Sequence, residues 1–480
     1  MNDSDIQELR AQFRGELISS VDPAYDAARK VYNAMIDRRP LLIARCADVA
    51  DVMSCVNFAR EKQLLVAVRG GGHNGPGLGV CDDGLVIDLS RLKSIRVDQK
   101  DRSVRVEGGC LWGEVDHVTH AFGLAVPSGF IASTGVGGLT LGGGIGYLSR
   151  KHGLTIDNLL SVDIVLADGR LITASADEHP DLFWAVRGGG GNFGIVTSFL
   201  FRASPIAMVY GGPIFWPLEK GGQLLRFWRD FILSAPDDIN GWFGFVTVPP
   251  VPMFPAEFHL KKMCVVTWCY TGDISKADEV FRPIRSFLPP SMDFAGPIPF
   301  PVLQSLFDGV YPAGLQWYWK ADFFEQLSDK AIDLHLKYAQ RLPSPHSTMH
   351  LYPINGAAQR VASADTAFSY REASFAEVIV GVDPDPANNP GLIQWAKDYW
   401  LALHPFSSGG GYLNMMMDEG DDNVKAAYRD NYARLAQVKR KYDPNNLFHF
   451  NQNIKPARAH EPEVLAGRIV DRVRAQTDGG

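Results

Sequence analysis

The sequence contains no apolar run of the ~18 residues that a membrane-spanning helix needs, which argues against a bilayer span. It has no basic start followed by an apolar stretch: the first residues, MNDSDIQELRAQF, are polar and acidic, unlike an export signal. It has no excess of basic residues. Lys and Arg number 47 against 54 Asp and Glu, a net charge of −7, so nucleic acid and anionic membranes are poor candidate partners. Cysteine is scarce. The six (Cys46, Cys55, Cys81, Cys110, Cys264 and Cys269) form no CxxC pair and no dense cluster, and they read as reduced thiols rather than a disulfide framework. The expected compartment is therefore the cytoplasm. HExxH, GxSxG and P-loop motifs are missing, and no internal repeat is evident.

What is present is a globular composition, 46% apolar and 21% charged, on 480 residues, too many for one ordinary core. Residues 5–35 look helical. LLIAR (41–45), a helix through 47–62 and LLVAVR (64–69) suggest a βαβ-like opening. LVIDL (85–89), SIRVD (94–98) and SVRVEGG (103–109) read as strands, residues 111–122 suit a helix, and 161–172 carries a turn at Asp168-Gly169. IVTSFLF (195–201) is a further strand. Near Pro205 glycine thins out while aromatics and prolines rise, as in PIFWP, WFGFVTVPPVPMF and LQWYWKADFF. Strand-like segments there alternate with helices at 218–234, 275–288 and 389–404. The expected division is 1–204, a substrate-binding domain over 205–414, and a segment 415–480 returning to the first domain. In it 420–442 is helical and a mobile charged tail follows residue 457.

Glycine is concentrated in three clusters: 70–84, 135–146 and 188–194. Two contain a literal GxGxxG, Gly70-Gly72-Gly75 and Gly189-Gly191-Gly194. Neither is followed by a helix pattern, so a nicotinamide-type Rossmann site is rejected. A single cluster is as well explained by turns. Three in one domain suggest backbone made bare of Cβ so that a pyrophosphate can approach its N–H groups. Glu114, His117 and His120 fall at i, i+3 and i+6 of a helix, but that spacing drifts around the axis and fits a solvated face better than a metal set.

LLVAVRGGGHN (64–74), LVIDLSRL, GVGGLTLGGGIGYLSRKHGLTIDN, DLFWAVRGGGGNFGIVT and the C-terminal YDPNNLFHFNQNI (442–454) together resemble the berberine-bridge-enzyme-like oxidases of the vanillyl-alcohol-oxidase superfamily. The matches run over about 40–205 and 410–455, and 205–410 is looser. Bacterial members of the 6-hydroxy-D-nicotine oxidase and antibiotic-tailoring kinds look similar. The resemblance implies an α+β fold: a PCMH-type FAD-binding domain of two subdomains, and a substrate domain with an antiparallel sheet covered by helices.

It further implies that Arg69, Gly70, Gly71, Gly72, His73, Asn74 and Gly79 hold FAD, with Thr134, Gly135, Gly138, Gly142, Gly143, Gly146 and Tyr147 in a second loop. Asp157, Asn158, Ile195, Val196, Asn451 and Asn453 complete the set. Asp157 equally fits a helix cap, and the amides of Asn451, Gln452 and Asn453 equally fit a backbone turn. Read alone, His73 would be a polar surface residue; in the family the matching histidine bonds to the flavin 8α-methyl group. A neutral imidazole suits that attack. Many relatives add a second link through a cysteine just before GVGG. Here that position is Ile131, so a single covalent link through His73 is expected.

The family's YxN motif falls on Tyr412 and Asn414 in GGGYLN, which the resemblance makes the catalytic base and an orienting amide. A phenol near pKa 10 needs its proton affinity lowered to act as base near neutral pH, and Lys320 and Arg371 are the candidate cations. Trp317, Tyr318, His350 and Tyr352 are candidate cavity residues, although aromatic stripes are more often packing. The expected activity is oxidation of a C–H bond beside an alcohol or amine of a small aromatic or polycyclic molecule. Hydride would pass to flavin N5, with dioxygen the expected acceptor. A flavin-dependent sugar oxidase or dehydrogenase and a non-enzymatic flavin-binding protein are the alternatives.

Overall fold

A computed structural model describes residues 3–458 of the chain. The tail expected at its end falls, over 459–480, outside the described residues. Three sheets organise the described residues.

The first sheet has the order Glu16–Ile18, Leu42–Arg45, Leu85–Asp88, Val66–Arg69. The last three strands are parallel, and every residue of LVID is buried, as the middle of a covered parallel sheet requires. The helix Val49–Lys62 makes the crossover. Asp48 caps it by accepting from the N–H groups of Ala50 and Asp51. The expectation of helix throughout 5–35 needs correction. Helix covers Asp3–Gln12 and Tyr25–Ala28, while Glu16–Ile18 pairs antiparallel with Leu42–Arg45. Edge pairing with a distant strand overrides the local helical pattern there. The approach begins at Gly15, where an added Cβ would lie 2.0 Å from the Arg45 carbonyl oxygen.

The second sheet is antiparallel, in the order Ile95–Asp98, Ser103–Glu107, Ile195–Arg202, Leu159–Val165, Leu171–Ser175. Its last two strands are the hairpin read at Asp168-Gly169, with Gly169 at φ 85°.

The third sheet is eight-stranded and wholly antiparallel. Its path is Met292–Asp293, Met208–Pro217, Lys262–Tyr270, Ile239–Thr247, Thr348–Pro353, Phe375–Asp383, Gln316–Phe324, and Gly296–Pro299 also pairs with Met208–Pro217. Strand periodicity sorts its side chains. One face meets the helices Gly221–Ser234, Ala277–Phe287, Asp329–Ala339 and Asn389–Leu403 through Trp228, Ile232, Phe281, Ile332 and Tyr399. The other presents Trp317, Trp319, Phe323, Trp242 and Tyr352, which pack with Ile145, Tyr147, Leu154 and Ile156 of the second glycine region. Burying each such aromatic contributes about 1.5–3 kcal/mol. Asn240 fastens the contact by donating to the carbonyls of Gly146 and Tyr147 at 3.1 and 2.9 Å.

The helix expected over 420–442 is two helices, Asp421–Tyr428 and Asn431–Tyr442. The break is at Arg429, whose φ of 46° lies in the left-handed region. The buried Lys439 ammonium then donates to the Asn192 carbonyl (2.6 Å), the Phe448 carbonyl (2.9 Å) and the Asp443 carboxylate (2.6 Å). This docks the C-terminal segment on the third glycine cluster.

Candidate active site

The three glycine clusters and the C-terminal segment enclose one cavity of about 310 Å³. The strand Val66–Arg69 delivers the first loop. Arg69, buried, is held by the Asp88 carboxylate at 2.7 Å. Gly71 and Gly135 bring two loops together so closely that a Cβ on either would lie 2.4–2.5 Å from a backbone nitrogen of the other. Gly138 and Gly191 have no atom within 4 Å of where a Cβ would stand. Side chains at 71 and 135 would push the loops apart; at 138 and 191 they would enter open space.

The lining contains Arg69, Gly70, Gly71, Gly72, His73, Asn74, Gly79, Thr134, Gly135, Gly138, Gly142, Ile195, Val196, Asn451, Tyr412 and Asn414. It also contains Gly191 of the third glycine cluster, and Gly190, Asn192, Phe130, Trp319 and Leu413, which sequence reading did not single out. Asn192 accepts from the Ile454 N–H at 2.9 Å and donates to the Gln452 carbonyl at 3.1 Å, joining the third loop to the C-terminus. The Asn451 Oδ1 is buried with no hydrogen-bond partner.

Several expected site residues stand elsewhere. Gly143, Gly146, Tyr147, Asp157, Asn158 and Asn453 are not in the lining. Gly143 underlies the site, since a Cβ there would meet the Phe368 ring at 2.9 Å. Gly146 passes against the Ser128 carbonyl, and Tyr147 packs edge-on to Phe130. Asn158 donates to the carbonyls of His152 and Leu154. Asp157 accepts from the Leu154 N–H and forms a two-pronged ion pair with Arg371 at 2.7 and 2.8 Å. Trp317, Tyr318 and His350 also lie outside the lining, while Tyr352 is in it. Glu114 is taken by Lys93 and the Leu111 N–H.

His73 lies in the lining, its ring stacked on Tyr32 at 3.9 Å with 22° between planes. Its Nε2 is 3.1 Å from Ser133 Oγ. Burial pushes its pKa down to about 4, so the imidazole is neutral across the physiological range.

Tyr412, buried, faces a different group of atoms from the one expected. Its hydroxyl oxygen lies within reach of three donors: Asn414 Nδ2 at 2.8 Å, Gly144 N–H at 3.1 Å and Ile145 N–H at 3.3 Å. Close approach is possible because Gly142 lacks a Cβ, which would stand 2.0 Å from Asn414 Oδ1. The candidate cations are placed differently. Lys320 pairs with Glu419 at 2.9 Å and lies over the Trp400 ring; Arg371 is committed to Asp157. Burial pushes the Tyr412 phenol up to about 12, against the three donors, and neither cation is among the groups acting on it. A long flexible lysine or arginine finds the nearest carboxylate, and nothing in the local sequence distinguishes that partner from a phenol.

The segment 40–175 matches the family model described as FAD binding domain, and 411–455 the one described as Berberine and berberine like. An FAD-linked oxidoreductase of Dictyostelium discoideum is 33% identical over 429 residues, 89% of this chain and 91% of its own. The chain belongs to the berberine-bridge-enzyme-like FAD-linked oxidoreductases. Within the family, the crystal structure of 6-hydroxy-D-nicotine oxidase from Arthrobacter nicotinovorans superposes with a TM-score of 0.83 at 26% identity, covering 93% of this chain and 98% of that one. The xylooligosaccharide oxidase of Thermothelomyces thermophilus is 27% identical over 473 residues, 89% of each chain.

The chain is thus an FAD-dependent oxidoreductase, and the cavity fits that cofactor. Crossed glycine loops expose amides for a pyrophosphate, and the orphaned Asn451 Oδ1 awaits a donor. No helix among the described residues is long and apolar enough to cross a membrane.

Proposed function

We propose that this oxidoreductase carries FAD on a single covalent link through His73 and oxidises a C–H bond beside a hydroxyl or amine of a small molecule, with Tyr412 as base. Bound FAD supplies the two-electron acceptor, and dioxygen is the expected final acceptor. Ile131, in the cavity lining, supplies no thiol for a second link. All six cysteines are buried and unpaired, and none lines the cavity.

The observation that carries the base assignment is the triple-donor arrangement at Tyr412. A phenol oxygen has two lone pairs and a phenolate three, so three converging donors match the anion better than the neutral group. Such preset donors act in the direction the expected cation would have acted, although burial outweighs them and the phenol stands at about 12. Tyr412 accepts the substrate's O–H or N–H proton, Asn414 holds the phenol oxygen, and Trp319, Tyr352 and Phe130 give the chamber aromatic walls. Phe130 and Tyr352 already stack at 4.4 Å, which favours a flat aromatic or polycyclic substrate. A sugar is the second reading, supported by the xylooligosaccharide-oxidase relative and by the ability of the same aromatic walls to stack on pyranose faces. Anaerobic mixing with panels of alcohols, amines and oligosaccharides tests both, since substrate turnover bleaches the flavin absorbance. Reduction by aromatic amines or alcohols alone supports the first reading, and reduction by oligosaccharides alone replaces it with the second.

A further inference from the structure

We infer that Tyr32 and Ser133 form a clamp that positions the His73 imidazole for covalent attachment of the flavin. The inference rests on the proposed His73 link and goes beyond it by naming the groups that make this histidine reactive.

The clamp comes from two separate parts of the chain. Tyr32 lies in the N-terminal segment before the first parallel strand, and it covers one face of the His73 ring at 3.9 Å. Tyr32 is itself fixed: its N–H donates to the Gly72 carbonyl at 3.0 Å, its hydroxyl to the Tyr311 carbonyl at 2.7 Å, and its other face stacks on Trp317 at 5.0 Å. The neighbouring Asn33, fully buried, donates to the carbonyls of Gly75 and Trp317 and accepts from the Trp317 N–H. The His73 loop, the N-terminal segment and the third sheet are thus locked at one point. Ring rotation about χ2, the usual freedom of a histidine, is blocked by the stack.

Ser133 addresses the ring edge, with its Oγ 3.1 Å from Nε2. In the proposed clamp Ser133 Oγ accepts from an Nε2–H, the tautomer that leaves Nδ1, which is outside this contact, with its lone pair. Asp308 holds this turn in place, its carboxylate accepting from the Ala132 N–H at 3.0 Å.

In the attachment step a bond forms between Nδ1 and the 8α carbon. One hydrogen leaves the methyl group and one leaves Nε2 as protons, and the accompanying electron pair passes to dioxygen, which becomes hydrogen peroxide with those two protons. As Nδ1 gives up its lone pair, positive charge grows on the ring, and an acceptor at Nε2 stabilises it. Without Ser133 Oγ that charge would build in a buried site with its hydrogen bond weakened.

The test uses the full-length chain produced in riboflavin-limited cells, then supplied with FAD in air. Flavin that survives acid precipitation is followed over time, and total bound flavin is measured in parallel. Ser133→Ala is expected to slow acid-stable incorporation by about tenfold to a hundredfold, the effect of one hydrogen bond to a group gaining charge. Total bound flavin should be unchanged, and Ser133→Thr, which restores a hydroxyl, should recover the rate. Tyr32→Leu should slow incorporation as well. Ser133→Ala incorporating at the wild-type rate, with wild type acid-stable, overturns the clamp and leaves the His73 link standing. Wild-type protein that releases all its flavin to acid overturns the link, and the clamp with it.

Discussion

Replacing Tyr412 by Phe removes one oxygen and keeps the ring, which contacts Phe323 and Phe368 edge-on at centroid distances of 6.1 and 6.4 Å. Two consequences follow, and they are separable. The oxygen is the acceptor for two backbone amides and for Asn414, so its loss leaves buried donors unsatisfied at about 1–3 kcal/mol. A modest fall in melting temperature is therefore expected whether or not the residue is catalytic, and stability alone decides nothing. The rate decides. General-base catalysis is worth about 10²–10⁴-fold, and anaerobic stopped-flow reduction of the bound flavin should slow by that order while flavin content holds. The pH dependence gives a second reading. With the phenol pushed up to about 12, the base form becomes more populated as pH rises. The wild-type reductive rate should thus climb steadily from pH 7 to pH 10 without levelling near 8, and the climb should vanish in the variant. A Tyr412→Phe enzyme with unchanged rate and pH profile would refute the assignment. A wild-type plateau below pH 8 would refute the reasoning that three donors act here without help from a cation.

His73→Ala should keep FAD bound but release it to acid, and peptide mass mapping of wild type should find flavin on the His73 peptide and on no cysteine peptide. Gly142→Ala puts a methyl group where Asn414 Oδ1 stands; flavin content should hold while the reductive rate falls at least tenfold, because Asn414 is displaced from Tyr412. Asp116 is buried, with a carboxyl pushed up to about 8 by desolvation. Its folded-state pKa exceeds the unfolded value near 4, so it costs stability increasingly as pH rises between those two values. Asp116→Asn should raise the melting temperature more at pH 8 than at pH 5, and an equal gain at both would show that the carboxyl is not neutral in the fold.

The flavin-binding half was legible because its signals are local. Three glycine clusters, the strand patterns beside them and the turn at Asp168-Gly169 are all written within a few residues, and the backbone follows them closely. Tyr412 and Asn414 were found by motif, and the structure adds how they are brought together: the 2.8 Å bond between them and the bare Gly142 beside Asn414. What failed was partner choice. Lys320 and Arg371 have the right charge, but their partners Glu419 and Asp157 lie far off in the chain, and no window of sequence holds both members of either pair. Glu16–Ile18 was misread for the same reason, since an edge strand three residues long carries almost no period of its own.

The residues that sequence reading passed over share one property: each joins parts of the chain that are distant in sequence. Asn33 reaches across 284 residues to Trp317 and Asn192 across 260 to Gln452, and Tyr412, though found by motif, has a partner just as remote, Gly144 across 268. Their side chains are ordinary by type, and only closure of the third sheet onto the glycine loops gives them partners. This also accounts for where chemistry is placed. A phenol near pKa 10 and a histidine near 6.5 are unremarkable in isolation. One is pushed to about 12 and the other to about 4 because closure excludes water from both. The glycine loops set where a dinucleotide can lie. The long-range contacts that seal the cavity set the protonation of the two groups proposed to react there, keeping His73 neutral for attachment and surrounding the Tyr412 oxygen with donors suited to its anion.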